Sequence, residues 1–426
     1  MTVPDDLLSR YAGLLIRIGV NLQPGQSLNL TCELEHRSFV ALIVEAAYRA
    51  GARYVQLNWI DPPSAKARYL HSHPDYLEFF PEYEVTRHRQ MVDESWARLS
   101  LVGAEFPDIF DDVDPGAMRH VSQTRAQRLK FYSQAMMANR MQWCVAAVPT
   151  RAWAQQVYPG LPADQALGTL WNQVLRMCRV DQPDPVAAWQ QHDRALRRVS
   201  QYLAQHQVRA LRFLDPVPAP DGAPRTDLTI GLTDRPQWVA ASSRTPAGVQ
   251  FLANMPTEEV FSTPHSGRTE GWVRTSKPTF PFERKVDDAY FRFERGELVE
   301  FSAAVGQGVL DQFFQIPGTR RLGEVSLVDD RSPINQAGVT FHEILFDENA
   351  VCHIAFGKAY PEGMEGADQL SEEELQAAGV NEADAHLDVM IGSSTMTVTG
   401  LGADGTEAPV MANGRFVAAV VGEEAA

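Results

Sequence analysis

Cysteine is scarce and scattered in this chain. Cys32, Cys144, Cys178 and Cys352 are the four in 426 residues, and no two form a CxxC pair. That spacing excludes a zinc ribbon and offers no disulfide framework, so the thiols are expected to be reduced and buried. Long apolar runs are missing as well. No stretch approaches the roughly 20 apolar residues needed to span a bilayer. The start, Met1-Thr2-Val3-Pro4-Asp5-Asp6, has neither the basic residues nor the apolar run of a signal peptide. A cytoplasmic protein with no membrane partner is the expectation. Positive charge is in deficit: 38 basic residues against 54 acidic ones leave a formal charge of −16. A phosphate backbone is repelled by that balance, and Arg197-Arg198 and Arg320-Arg321 are too short to form a basic patch, so no nucleic-acid partner is expected. An acidic surface suits cationic ligands such as metal ions or a free amino group, and it also serves solubility. No HExxH, Gly-x-Ser-x-Gly or P-loop occurs, which removes the usual supports for a zincin, a serine hydrolase or a nucleotide triphosphatase.

What is present is an ordinary globular composition, 44% hydrophobic and 22% charged, in a chain longer than one core usually serves. Two domains are the natural expectation. Early in the chain, strand-like runs at Ser27 to Thr31, Tyr54 to Trp59, Ala97 to Val102 and Gln142 to Ala147 alternate with helical stretches. One such stretch carries Phe39, Ile43, Ala46 and Ala47 at helical spacing before Gly51. Strands separated by helices favour a parallel sheet covered on both faces. A long amphipathic helix is expected from Asp184 to about Gln205, with Pro185 in its first turn. Pro216, Pro218, Pro220 and Pro224, interleaved with Asp221-Gly222, then break regular structure. Beyond them the pattern turns β-rich: Asp227 to Leu232, Trp238 to Ser242, Gly271 to Ser276, Tyr290 to Glu294 and Leu298 to Ala303, with Arg295-Gly296 as a hairpin turn. Helices are expected at Gly306 to Gln315 and at Ser371 to Ala378, the latter opened by a Ser371/Glu374 capping box. The predicted class is therefore α/β: an N-terminal parallel-sheet α/β domain over residues 1–220, followed by a β-rich mixed α+β domain over residues 221–426.

The second half also holds a scatter of metal-type ligands: Glu258-Glu259, Glu324, His353 and His386-x-Asp388. A strand over Ala385 to Ile391 places His386, Asp388 and Met390 on one face. His353 follows Asp347-Glu348-Asn349, a start rich in helix-capping types, so a short helix ending at Gly357 is expected to deliver it. Tyr360 then lies in the next segment, where a phenol can donate to a developing oxyanion. Two adjacent acids point to opposite sides of an extended chain, so only one of Glu258 and Glu259 faces a given site. Glu324 opens the apolar run Val325 to Val328, a costly place for an acid unless it is paired or metal-bound. His71-x-His73 has ligand-like spacing but sits before Pro74-Asp75 in a polar stretch and reads as a surface loop.

These residues also carry a resemblance. Asn254-Met255-Pro256-Thr257-Glu258-Glu259-Val260-Phe261, then Arg321-Leu322-Gly323-Glu324-Val325, then Leu345-Phe346-Asp347-Glu348-Asn349-Ala350 with His353, then His386-x-Asp388, resemble the thermophilic metallo-aminopeptidase family of the aminopeptidase T and S type in order and interval. The resemblance implies an N-terminal α/β domain, a C-terminal catalytic domain and a homodimer. It implies removal of N-terminal residues from short peptides with a free N-terminus by a metal-activated water. The implied cofactor is a pair of divalent ions (zinc, cobalt, manganese or magnesium) bound by Glu258, Glu324, His353, His386 and Asp388. Glu324 would bridge them, Tyr360 would stand close by, and Glu259 would be available to the substrate's free amine. Glu258 is taken over Glu259 as the ligand on the family interval to Glu324, and the general base stays open. The other readings to weigh are a dinuclear amidohydrolase or esterase on non-peptide substrates, and a noncatalytic binding protein stabilised by metal.

Overall fold

The computed structural model of the protein describes residues 4–219 and 222–422. The chain divides into two compact units, Met1–Trp189 with Ser242–Pro256, and Gln190–Ala241 with Thr257–Ala426. A boundary between residues 220 and 221 lies outside the described residues. The division falls within the helix Pro185–Gln205, and a later segment rejoins the first unit.

In the first unit, β1 (Ser27–Glu33), β2 (Tyr54–Ile60), β3 (Ala97–Val102) and β4 (Trp143–Ala147) form a parallel sheet in the order β2-β1-β3-β4, and Asn254–Met255 pairs parallel to β4 at its edge. The expected helix after His36 runs Arg37–Arg49, with Phe39, Val40, Ile43 and Ala47 buried, and Gly51 follows at φ 93°. One face of the sheet is apolar: Leu28, Leu30, Cys32, Leu99, Cys144 and Ala146 are almost wholly buried. The opposite face is polar. Gln56, Asn29 and Arg98 lie in one cross-strand row, and Asn58, Thr31 and Ser100 in the next.

The second unit contains two antiparallel sheets among the described residues. The larger runs in the order Glu297–Val305, Asp287–Glu294, Pro264–Arg274, Pro224–Leu232, Val208–Pro218, Thr397–Gly402, Glu407–Ala412, Arg415–Phe416. Arg295 (φ 50°) and Gly296 (φ 77°) make the expected hairpin turn between its first two strands. The smaller sheet consists of β5 (Glu259–Ser262), β6 (Leu322–Val328), β7 (His353–Gly357) and β8 (His386–Met390), in that order. β6 and β7 are buried along their whole length.

Two local expectations need correction. His353 does not ride on a helix. The helix Ile344–Asp347 and the 3-10 turn Glu348–Ala350 end before it, and His353 opens β7. The capping-type residues do mark a helical turn, but Ile354-Ala355-Phe356 finds ladder partners on both sides, in β6 and β8, and that pairing sets its conformation. Gly357 ends this strand rather than a helix. Trp238 to Ser242 forms only an isolated bridge, Val239 with Phe261, and a strand begins at Ser242. The helix Glu372–Ala377 does carry the Ser371/Glu374 capping box. His71 and His73 are exposed at helix ends, as a surface position requires.

Candidate metal centre

Strand alternation assembles the site on one face of the β5–β8 sheet. On β6, Glu324 and Ser326 point to the same side, and the register sets Ser326 opposite His353 and Phe261. On β8, His386 and Asp388 share a face, and Asp388 lies opposite Ala355 of β7, itself opposite Glu324. Glu324, His353 and Asp388 are 5%, 1% and 6% exposed, so these are interior ionisable groups rather than polar decoration of a surface strand.

Two groups of three overlap in Glu324. Glu259, Glu324 and His353 form one, and Glu324, His386 and Asp388 the other, with ligand atoms within 4.8 Å of one another in each. His353 Nε2 lies 3.3 Å from Glu259 Oε2 and 3.6 Å from Glu324 Oε1. His386 Nε2 lies 3.5 Å from the other Glu324 oxygen, Oε2, and 3.1 Å from Asp388 Oδ1. Glu324 therefore turns one oxygen to each group. The Ser326 hydroxyl, 2.6 Å from Glu259 Oε2 and 3.2 Å from Glu324 Oε1, donates to this carboxylate pair and holds it in place. His386 Nδ1 lies 2.7 Å from the Lys358 carbonyl. A proton on Nδ1 satisfies that carbonyl and turns Nε2 towards the carboxylates: protonated, it donates to Asp388, and once deprotonated it is the tautomer a metal ligand needs.

Glu258 is not part of either group. Its Oε2 lies 3.4 Å from His192 Nε2, which also meets the Thr257 carbonyl at 2.8 Å, and its backbone N–H donates to Asn349 Oδ1 at 2.7 Å. Of the two adjacent acids, the geometry groups Glu259, rather than the expected Glu258, with Glu324 and His353. The reason is register. Glu259 is the first paired residue of β5 and shares the face of Phe261, opposite Ser326, whereas Glu258 precedes the strand.

The electrostatics are those of crowded acids. Burial, helped by the charges of Glu324 and Asp388, pushes the Glu259 carboxyl up to about 7 against the pull of His353 and the Ser326 hydrogen bond. Burial alone would depress both imidazoles. Instead the hydrogen bond to Glu324 and the charges of Glu259, Glu324 and Asp388 bring His353 to about 9, and the hydrogen bond and charge of Asp388, with Glu324, bring His386 to about 9. For Asp388, burial is outweighed by the hydrogen bond and charge of His386, and its pKa falls. Protons here do the job of cations: the imidazoles charge because they sit among buried carboxylates that favour their protonated form.

Tyr360 stands against this cluster, its ring centroid 4.8 Å from that of His386. Burial and then the charges of Glu324, Asp388, Glu348 and Glu259 drive its phenol well above the ordinary range, so it remains a neutral donor. Glu348 was missed as a site residue because Asp347-Glu348-Asn349 reads as capping chemistry. Burial of its carboxyl, then the charges of Asp388, Glu259 and Glu324, hold its pKa well above the usual carboxylate value. Asn349, fully buried, donates to Glu348 Oε1 at 3.3 Å and accepts from the Glu258 N–H, linking this acid to the β5 segment. The signal available in sequence was an acid and an amide within five residues of His353.

Nitrogen and oxygen donors converging in two groups on a shared carboxylate define a site built for metal-assisted hydrolysis. Residues 4–416 match the thermophilic metalloprotease family (M29). The chain is 38% identical over 412 residues to aminopeptidase 2 of Geobacillus stearothermophilus, covering 96% of this chain and 97% of that protein. It is 37% identical over 411 residues to aminopeptidase T of Thermus thermophilus, covering 96% and 98%. The solved structure of wild-type AmpT from Thermus thermophilus superposes with a TM-score of 0.88 at 36% identity, covering 97% of this chain and 99% of that one. The chain belongs to the thermophilic metalloprotease family, whose members are metal-dependent peptide-bond hydrolases.

Proposed function

We propose that this enzyme is an aminopeptidase that releases N-terminal residues from short peptides, with two divalent ions held by Glu259, Glu324, His353, His386 and Asp388. The observation that carries the reading is the pair of ligand groups sharing Glu324, one oxygen turned to each. The donors fit such ions: three buried carboxylates, with Glu348 beside them, face two imidazoles, an excess of negative charge that cations would neutralise. Mixed imidazole and carboxylate donors suit zinc, cobalt or manganese better than magnesium, which prefers oxygen alone. Bound there, the ions would lower the pKa of water towards neutrality and polarise the scissile carbonyl.

The chain's own residues do the rest. Ser326 orients Glu259 and Glu324, and the Lys358 carbonyl orients His386. Glu348, its affinity for protons raised and its position fixed by Asn349, accepts a proton from the attacking water and returns it to the leaving amine. Tyr360 donates its phenolic hydrogen to the oxyanion of the tetrahedral intermediate. The surplus of carboxylates offers the substrate's free α-ammonium a counter-charge. Four free, buried cysteines support a cytoplasmic setting for the reading. A homodimer completes it and is checked by molar mass in solution.

The test is release of the first residue from a short peptide, before and after exhaustive chelation, alongside the same peptide acetylated at its N-terminus. The reading requires loss on chelation, recovery with zinc, cobalt or manganese, and no cleavage of the acetylated peptide. Activity that persists in excess chelator removes the metal from the chemistry. Equal cleavage of both peptides makes the enzyme another kind of amidohydrolase.

A further inference from the structure

The polar face of the parallel sheet in the first unit has no part in the chemistry proposed above, and it is unusual in kind. Parallel sheets are normally apolar on both faces. Here one face carries Asn29 of β1 beside Arg98 of β3, and Thr31 beside Ser100. The helix Glu82–Asp93 brings Arg87, the helix Lys130–Met137 brings Tyr132, and Arg125 of the helix Pro115–Arg128 is near enough for its charge to act on both Arg98 and Tyr132.

Several of these groups are buried with nothing to satisfy them. Asn29 Oδ1, Ser100 Oγ and Arg87 Nε have no hydrogen-bond partner, and the Asn29 and Ser100 side chains are at least nine-tenths buried. The Tyr132 hydroxyl, also buried, stands beside the Asn29 amide. The Arg98 guanidinium meets only the Met136 sulfur, at 3.2 Å, and no carboxylate pairs with it among the described residues. Arg87 does have an acid, Glu84, at 2.6 Å. A guanidinium taken from water without an anion is costly, and so is each buried polar atom left unpaired. A chain of net charge −16 has spent that cost at one place in its first unit.

We propose that this polar face is a binding site for a phosphate group, held by Arg87, Arg98 and Arg125 with the Ser100 and Tyr132 hydroxyls. The charge count points to a dianion: three guanidiniums against one carboxylate, Glu84, leave a surplus of two. Planar guanidinium forks and hydroxyl donors are the usual partners of phosphate oxygens. The same donors accept a carboxylate less completely, since one negative charge leaves the surplus half neutralised. The ligand is thus a phosphate-bearing small molecule or free phosphate, bound in the first unit and independent of metal in the second.

Calorimetric titration of the metal-free, full-length protein with inorganic phosphate, at ionic strength held constant with chloride, tests this. Acetate is the parallel arm. Saturable phosphate binding near one per chain is expected, with acetate far weaker. Arg98→Gln abolishes it, and Arg125→Gln, at an exposed position that leaves folding intact, weakens it by at least about tenfold. Circular dichroism checks both variants, and if Arg98→Gln does not fold, Arg125→Gln decides. Absence of saturable binding of both inorganic phosphate and a phosphate monoester, binding unchanged in Arg125→Gln, or acetate bound as tightly as phosphate would each overturn the proposal. Saturable binding of a phosphate ester in place of free phosphate, with the same response to Arg125→Gln, identifies the physiological source as a metabolite.

Discussion

Glu258 and Glu259 are neighbours in the chain with different surroundings, and the difference is the period of a strand. Alternation tells a reader that only one of two adjacent acids can face a site. Which one it is depends on the pairing of β5 with β6, which sets the Glu259 carboxylate against the Ser326 hydroxyl. The five positions Glu324, His353, His386, Asp388 and Tyr360 were legible because each is a chemically loaded residue in an apolar context. Glu348 was not, since an acid after Asp347 and before Asn349 is equally good capping chemistry, and only the fold brings its carboxyl among the others. Glu348 and Tyr360 give the residue-scale prediction. Glu348→Gln should lower kcat by about 10²–10⁴-fold, the usual worth of a general acid–base group, with bound metal unchanged. Tyr360→Phe should lower kcat by about 10²–10³-fold, as loss of one oxyanion donor does. Steady-state kinetics paired with metal analysis checks both: loss of metal in either variant assigns the residue to binding the ions instead.

At the scale of elements, the small sheet is held in register by close backbone approach. Gly357, the last residue of β7, sits at φ 95°, and a Cβ there would meet the Ala385 carbonyl oxygen at 2.1 Å. Ala385 precedes His386, and its carbonyl also accepts the Lys358 N–H at 2.7 Å. Gly357→Ala should therefore cost at least about 1–3 kcal/mol of stability from backbone strain alone, with β8 pushed off its ladder and metal affinity falling alongside. Chemical denaturation and metal titration of the variant measure the two effects; a variant as stable as the parent would show that β7 and β8 tolerate separation. The expected strands of the parallel sheet were legible from runs such as Ala97 to Val102, which match β3 to the residue. β7 was not, because five residues beginning just after a capping sequence carry no period long enough to separate strand from helix.

For the whole molecule, the site couples folding to protons and to metal. Without metal, His353 and His386 are held near 9, above the ordinary imidazole value of 6.5. Groups whose folded pKa is raised stabilise fully below the unfolded pKa and lose that contribution as pH climbs through the folded one. The metal-free protein should therefore lose thermal stability between about pH 6.5 and 9, whereas its apparent metal affinity should rise over the same interval as protons cease to compete for the imidazoles. Melting curves of stripped and loaded protein across that range check this; a flat profile for the stripped protein would mean the histidines are not paired with the carboxylates in the folded state. Two domains were expected from length and from the change to a β-rich pattern, and the compact units divide between Trp189 and Gln190 rather than near residue 220. The return of Ser242–Pro256 to the first unit was not legible, since its parallel contact with β4 is two residues long, Asn254–Met255.

The central claim is that two ions share Glu324 and that Glu259, not Glu258, completes the first group. Metal content per chain, measured after equilibration with cobalt or zinc and removal of free ion, tests it on the parent, Glu259→Gln and Glu258→Gln. The account predicts about two ions for the parent and for Glu258→Gln, and about one, with peptidase activity lost, for Glu259→Gln, whose second group remains intact. Two ions retained in Glu259→Gln, with one lost in Glu258→Gln, would contradict it.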